Sequence, residues 1–104
     1  MAQSILITED DRVQREIISD ILGQSGYDIT ASDSAETTLE ILKERTFELL
    51  LTDMRMPGLD GLELLRRAKR LRPEIEVVVM TAHATIRTAV TAMKEGAIDY
   101  LEKP

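Results

Sequence analysis

Five short apolar runs alternate along the chain with four longer stretches of helical period, and this alternation constrains the fold more than any other feature. The first run, Ser4 to Thr8, is continuously apolar through Ile5, Leu6 and Ile7, which predicts a strand buried on both sides. From Arg12 to Gln24, Val13, Ile17 and Ile21 recur at i+4 with Ile18 and Leu22 beside them, predicting an amphipathic helix that Gly23 and Gly26 bracket at its end. Tyr27 to Ala31 reads as a weaker strand, expected at an edge. Ser32-Asp33-Ser34 then offers capping oxygens to a helix carrying Leu39, Ile41 and Leu42. Leu49 to Thr52 predicts a third strand running into Asp53, and Met56 to Gly61 is dense in turn residues. A helix from about Leu62 to Leu71 is stopped by Pro73, and Glu76 to Met80 is a strand rich in β-branched valines. Thr81 to Ala84 reads as a loop. Ile86, Ala89, Val90 and Met93 share one face of a fourth helix closed by Gly96, and Tyr100 to Glu102 is a last short strand. The pattern predicts an α/β fold, a doubly wound parallel sheet of five strands with helices on both faces, and leaves the strand order open.

Composition narrows the function. A chain of 104 residues supports one core, and with Gly at 5 and Pro at 3 it is neither low-complexity nor disordered. Thirteen basic against nineteen acidic side chains give a net charge of −6, so direct contact with nucleic acid or an anionic membrane is not expected of this chain. The absence of Cys excludes disulfides, thiolate chemistry and Cys-ligated zinc or iron–sulfur sites. No apolar run approaches the ~20 residues of a membrane span, and Met1-Ala2-Gln3-Ser4 lacks the basic and apolar regions of a signal peptide, so a cytoplasmic address is expected.

In a parallel sheet the carboxyl ends of all strands lie on one edge, where ligands bind at the reversal of strand order. Glu9 and Asp10 follow the first strand, Asp53 the third, Thr81 the fourth and Lys103 the fifth, so three acids, a hydroxyl and an amine should meet in one crevice. Clustered carboxylates are relieved by a divalent cation, by a raised pKa on one of them, or by a nearby ammonium. Mg2+ suits one or two carboxylates plus a backbone carbonyl and a phosphate oxygen. No glycine-rich nucleotide cradle is present, so a phosphoryl group must arrive bound to something else. An aspartate carboxylate can accept it as a nucleophile, forming a mixed anhydride, and Asp53 at the tip of a buried strand is the candidate. Lys103 would contact the new phosphate and Thr81 would donate a hydrogen bond to it.

Each of these residues also has an ordinary reading. Glu9-Asp10-Asp11 alone suits a solvated helix start, Asp53 a turn, Lys103 a surface charge and Thr81 a helix cap. His83, the only histidine, has no evident partner and reads as a solvated loop residue. Met54, Met56, Met80 and Met93 read as packing residues rather than metal ligands.

Taken together, Ile5-Leu6-Ile7-Thr8-Glu9-Asp10-Asp11 with Arg15 beyond, Asp53 to Gly61, Met80-Thr81-Ala82 and Asp99 to Pro104 resemble the receiver domain of bacterial two-component response regulators over nearly the whole chain. The resemblance implies a flavodoxin-like strand order 2-1-3-4-5. It makes residues 1–104 one receiver domain, Asp53 the phosphoacceptor, and Glu9, Asp10, Asp53 and the Arg55 carbonyl the Mg2+ ligands. Glu9 stands where many members have Asp. Thr81 and Tyr100 would form a switch pair that reshapes the surface of the fourth helix and fifth strand, Lys103 would bind phosphate, and the Lys103–Pro104 bond is expected to be cis. Met80-Thr81-Ala82-His83 and Gly96 to Pro104 look most like the nitrogen-regulation class of sigma-54 activators, which join the receiver to an ATPase and a DNA-binding domain. The implied partners are a sensor histidine kinase and such an output domain, with a second copy of the chain as a candidate.

The family normally carries a fifth helix after the Lys-Pro pair, whereas this sequence stops at Pro104. A C-terminal truncation is the expected reason, with one sheet face left partly uncovered and self-association or marginal folding as the consequence. The rival reading is a Mg2+-dependent aspartate-nucleophile phosphohydrolase. Its usual Asp-x-Asp motif is missing, because Arg55 stands two residues after Asp53. A third reading, an unphosphorylated docking module, sits poorly with the intact acids, Thr81 and Lys103.

Overall fold

Apolar runs that leave no polar side free can only become inner strands, and the chain arranges its helices to cover both of their faces. The computed structural model describes residues 2–103. Its elements are β1 (Ser4–Thr8), α1 (Arg12–Gln24), β2 (Asp28–Ser32), α2 (Ala35–Glu44), β3 (Leu49–Asp53), α3 (Gly61–Leu71), β4 (Glu76–Thr81), α4 (Ile86–Lys94) and β5 (Asp99–Glu102). The five strands form one parallel sheet in the order β2-β1-β3-β4-β5, so the strand order implied by the resemblance is the one observed and β2 lies at an edge as expected. The chain moves outward from β1 to β2 and then returns past β1 to β3, placing the reversal of direction between β1 and β3.

Alternate strand residues serve the two faces. Leu6, Leu50, Val77 and Val79 point to the side covered by α2, α3 and α4, where Leu42, Leu64, Leu65 and Ala92 are fully buried. Ile5, Ile7, Leu51, Val78 and Met80 point to the other side, under Ile18 and Leu22 of α1. Each fully buried leucine contributes roughly 1.5–3 kcal/mol, so the inner strands are held firmly where they end at the site. The helix starts are fixed just as locally. Asp11, Ser34, Asp60 and Thr85 each accept a backbone N–H from the residue three positions on, and every one of these caps lies on the loops that follow strand ends.

Several expectations need correction. The stripe Val13, Ile17 and Ile21 does not face the sheet; all three are exposed, and α1 packs through Ile18 and Leu22 instead. The same holds for α4, where Ile86, Val90 and Met93 are exposed and the buried side runs through Ala92. Period alone marks an apolar sector of a helix, whereas the axis of packing decides which border of that sector meets the sheet. β2 begins one residue later than expected, at Asp28. Thr81 belongs to β4 rather than to the following loop, because it pairs with Glu102 of β5. α3 begins at Gly61, one residue earlier than expected. Four helices are present among the described residues. The expected cis bond before Pro104 lies outside the described residues.

Candidate functional site

The site grows from the turn that ends β1. Glu9 is completely buried: its Oε2 accepts the Asp11 N–H at 3.1 Å and its Oε1 accepts the Lys103 ammonium. Arg15 of α1 donates to the Glu9 carbonyl at 2.8 Å and to the Asp10 carbonyl at 3.4 Å, which fastens this turn while the Asp10 side chain stays exposed. Across the strand reversal, Asp53 is the last residue of β3 and is buried. Its Oδ2 accepts from Lys103 Nζ at 3.0 Å and its Oδ1 accepts the Arg55 N–H at 3.4 Å.

The backbone around Asp53 is held from three sides. The Met54 N–H donates to the Met80 carbonyl at 2.7 Å, the Thr52 hydroxyl donates to the Asp53 carbonyl at 3.0 Å, and the Gly61 N–H donates to the Met54 carbonyl at 2.9 Å. Gly61 approaches so closely that a Cβ there would stand 2.2 Å from the Asp53 carbonyl oxygen. Only glycine allows α3 to begin against the strand that carries the carboxylate. Lys103 is brought in by β5, and its own N–H donates to the Thr81 carbonyl at 2.7 Å.

One carboxylate oxygen from each of Glu9, Asp10 and Asp53 therefore lies within 4.8 Å of the others. Burial pushes the Glu9 pKa up, the Asp53 charge adds to this, and the hydrogen bonds from Lys103 and the Asp11 N–H oppose it without cancelling it. Burial alone would lower the Lys103 pKa, but its hydrogen bonds to Glu9 and Asp53 and their negative charges prevail and raise it. One ammonium thus bonds two of the three acids, and the surplus negative charge together with an all-oxygen donor set suits a hard divalent cation.

The predicted residues Glu9, Asp10, Asp53 and Lys103 are brought together. Thr81 sits at the neighbouring strand end, buried, with its hydroxyl accepting the His83 N–H at 3.2 Å. Arg55 follows β3 with its side chain exposed, and the contact it makes with Asp53 runs through its N–H. Tyr100 is half-buried and its hydroxyl lies 2.5 Å from that of Thr88 on α4. The His83 imidazole is exposed, as its solvated reading expects. Sequence reasoning passed over Gly61 and Thr88. Gly61 stood at the end of a turn-rich run, and Thr85-x-x-Thr88 has the spacing of a helix N-cap and its third residue.

Residues 5–104 match the response regulator receiver domain family. The chain belongs to that family. This receiver domain is 44% identical over 104 residues, all of its length, to the response regulator protein FleR of Pseudomonas aeruginosa, of which it spans 22%. It is 39% identical over 100 residues to the DNA-binding transcriptional regulator NtrC of Escherichia coli, covering 96% of this chain and 21% of that protein. It therefore spans about a fifth of the length of these relatives. Its fold superposes with a TM-score of 0.92 and 29% identity on a crystal structure of a response regulator protein from Burkholderia pseudomallei, covering 98% of this chain and 60% of that one. That structure holds a phosphorylated aspartic acid, a calcium ion and citrate.

Proposed function

We propose that Asp53 is the phosphoacceptor of this receiver domain, that Mg2+ is its cation, and that a sensor histidine kinase is its phosphoryl donor. The observation that carries this reading is the shared ammonium: Lys103 bonds both Glu9 and Asp53, with Asp10 alongside, at the carboxyl ends of three strands. An Asp53 oxygen bonds to phosphorus while the P–N bond of the donor's phosphohistidine breaks, the electron pair returning to the imidazole nitrogen. Glu9, Asp10, Asp53 and the Arg55 carbonyl would hold Mg2+, which neutralises charge on phosphoryl oxygens when bound. Lys103 keeps its proton and offsets the charge that develops on those oxygens. Thr81 turns its hydroxyl from the His83 N–H toward the phosphoryl group, and Tyr100 follows, reshaping the surface of α4 and β5.

The relation to NtrC supports an output of the sigma-54 class, an ATPase with a DNA-binding domain, for which this receiver is the input module. No described helix is long and apolar enough to cross a membrane. An apolar groove bordered by Ile5, Leu22, Tyr27, Leu51, Val78 and Leu101 supports self-association. Arg55 argues against the phosphohydrolase reading, since that chemistry wants an acid two residues after the nucleophile.

Acetyl phosphate or beryllium fluoride with Mg2+ should modify or perturb wild type and leave Asp53→Asn untouched. The same response in both proteins, or in neither, refutes the reading. The same samples in sedimentation velocity report self-association; a monomer at every concentration removes that part.

A further inference from the structure

Thr88 is the third residue of α4 and completes a reciprocal cap with Thr85. Its N–H donates to Thr85 Oγ1 at 3.1 Å, and its own Oγ1 accepts the Thr85 N–H at 3.3 Å and lies 3.2 Å from the Thr85 carbonyl, to which it donates. The same Oγ1 is 2.5 Å from the Tyr100 hydroxyl of β5. A threonine hydroxyl has one proton and two lone pairs. Four neighbours compete for these three positions: the Thr85 N–H, the Thr85 Oγ1 at 2.9 Å, the Thr85 carbonyl and, at the shortest distance, the Tyr100 hydroxyl. One oxygen therefore closes the first turn of α4 and holds the aromatic ring of β5.

Little else secures that turn. Ile86, Arg87 and Val90 are exposed, and Ala92, two turns further on, is the one residue of α4 that is buried. A helix end with few buried neighbours opens readily once its cap weakens.

We propose that Thr88 is a positioning residue that ties Tyr100 to the capping box of α4, so that departure of the ring removes a hydrogen bond from that box and loosens the first turn of the helix. This rests on the reading of Tyr100 as a switch residue. Resting protein holds the tether, and a phosphoryl group on Asp53 must break it. Removing it in advance therefore shifts the balance toward the responding state.

The test has two arms. In the resting protein, amide exchange at Thr88, Ala89 and Val90 is followed by NMR in wild type, Thr88→Val, Thr88→Ser, Tyr100→Phe and the Thr88→Val/Tyr100→Phe double variant. Loss of one hydrogen bond predicts exchange about threefold to tenfold faster in Tyr100→Phe and at least as fast in Thr88→Val. The double variant should match Thr88→Val, and Thr88→Ser should restore the wild-type rate. Unchanged exchange in Tyr100→Phe, or effects that multiply in the double variant, would overturn the proposal. In the second arm, half-saturation by beryllium fluoride with Mg2+ should fall about threefold to tenfold in Thr88→Val and return in Thr88→Ser. An unchanged value, with wild type still binding, overturns the coupling. Should wild type fail to bind at all, the phosphoacceptor reading fails, while the exchange arm still decides whether Thr88 holds Tyr100.

Discussion

Replacing Lys103 by methionine keeps the length and most of the volume of the side chain and deletes the one positive charge among Glu9, Asp10 and Asp53. Its Nζ stands 3.0 Å from Asp53 Oδ2 and also bonds Glu9, which is completely buried. At an effective dielectric of about 20, a single contact at this distance is worth about 5 kcal/mol before desolvation. Folding also strips water from the ammonium and from Glu9, which offsets much of that gain. Deleting one partner of such a pair typically costs about 3–5 kcal/mol because the other charge stays buried. The low end applies here, since Asp10 opens the site to solvent and Glu9 keeps the Asp11 N–H at 3.1 Å. The expected loss at neutral pH is about 3 kcal/mol.

The pH dependence separates this account from simple loss of packing. Glu9 has a folded pKa above its ordinary 4.5, so ionising it works against the native state. Its contribution is fully present below that ordinary value and is lost as pH rises through the raised one. Without Lys103 the folded pKa rises further and the loss on the alkaline side grows. Urea unfolding of wild type and Lys103→Met should therefore differ little near pH 4 and by the full amount at pH 7, and Mg2+ should narrow the gap at pH 7. A difference that is constant from pH 4 to 8, or one below about 0.5 kcal/mol as for an exposed ion pair, refutes the reasoning.

Gly61→Ala places a methyl group where the Asp53 carbonyl oxygen already stands, so the backbone at the start of α3 must move. Denaturant unfolding should show a loss of about 3 kcal/mol, and calorimetric titration should show weaker Mg2+ binding; wild-type values in both would contradict the close approach. Leu65→Ala, in the core beneath α3, should cost about 2–5 kcal/mol, whereas Ile17→Ser on the exposed side of α1 should change stability by about 0.5 kcal/mol or less. Equal costs for the two would return Ile17 to the core.

Much of the fold could be read from β1, β3 and β4 because a continuous apolar run has one stable home, the inside of a parallel sheet, and their boundaries held to within a residue. The strand order could not be read from the pattern, since apolar runs carry no information about their neighbours; it came from the resemblance. The helix faces failed for a different reason. In α1 and α4 the exposed borders are themselves apolar, so hydrophobicity does not distinguish Ile17 from Ile18 or Val90 from Ala92. The acids and Lys103 were legible because topology sends every strand end to one edge. Gly61 and Thr88 act through a missing Cβ and a shared hydroxyl, and neither leaves a mark in apolar period or charge.

The arrangement also links distant parts of the chain through short bonds. Lys103 touches Asp53 with its side chain and Thr81 with its backbone, and it directly follows β5, the strand that carries Tyr100. Tyr100 meets Thr88, and Thr88 closes α4. On the proposed reading, a charge added at Asp53 would change what Lys103 and Thr81 bond to, and β5, which pairs with Thr81 through Glu102 and leads into Lys103, is the strand that carries Tyr100. Ala92 is the one buried residue of α4, whereas α2 and α3 are anchored by Leu42, Leu64 and Leu65, so on the proposed reading α4 is the helix on that side of the sheet that such a change would move. Weak anchoring of one helix beside a firmly packed sheet is thus the physical condition under which a local charge change can alter a surface without unfolding the domain.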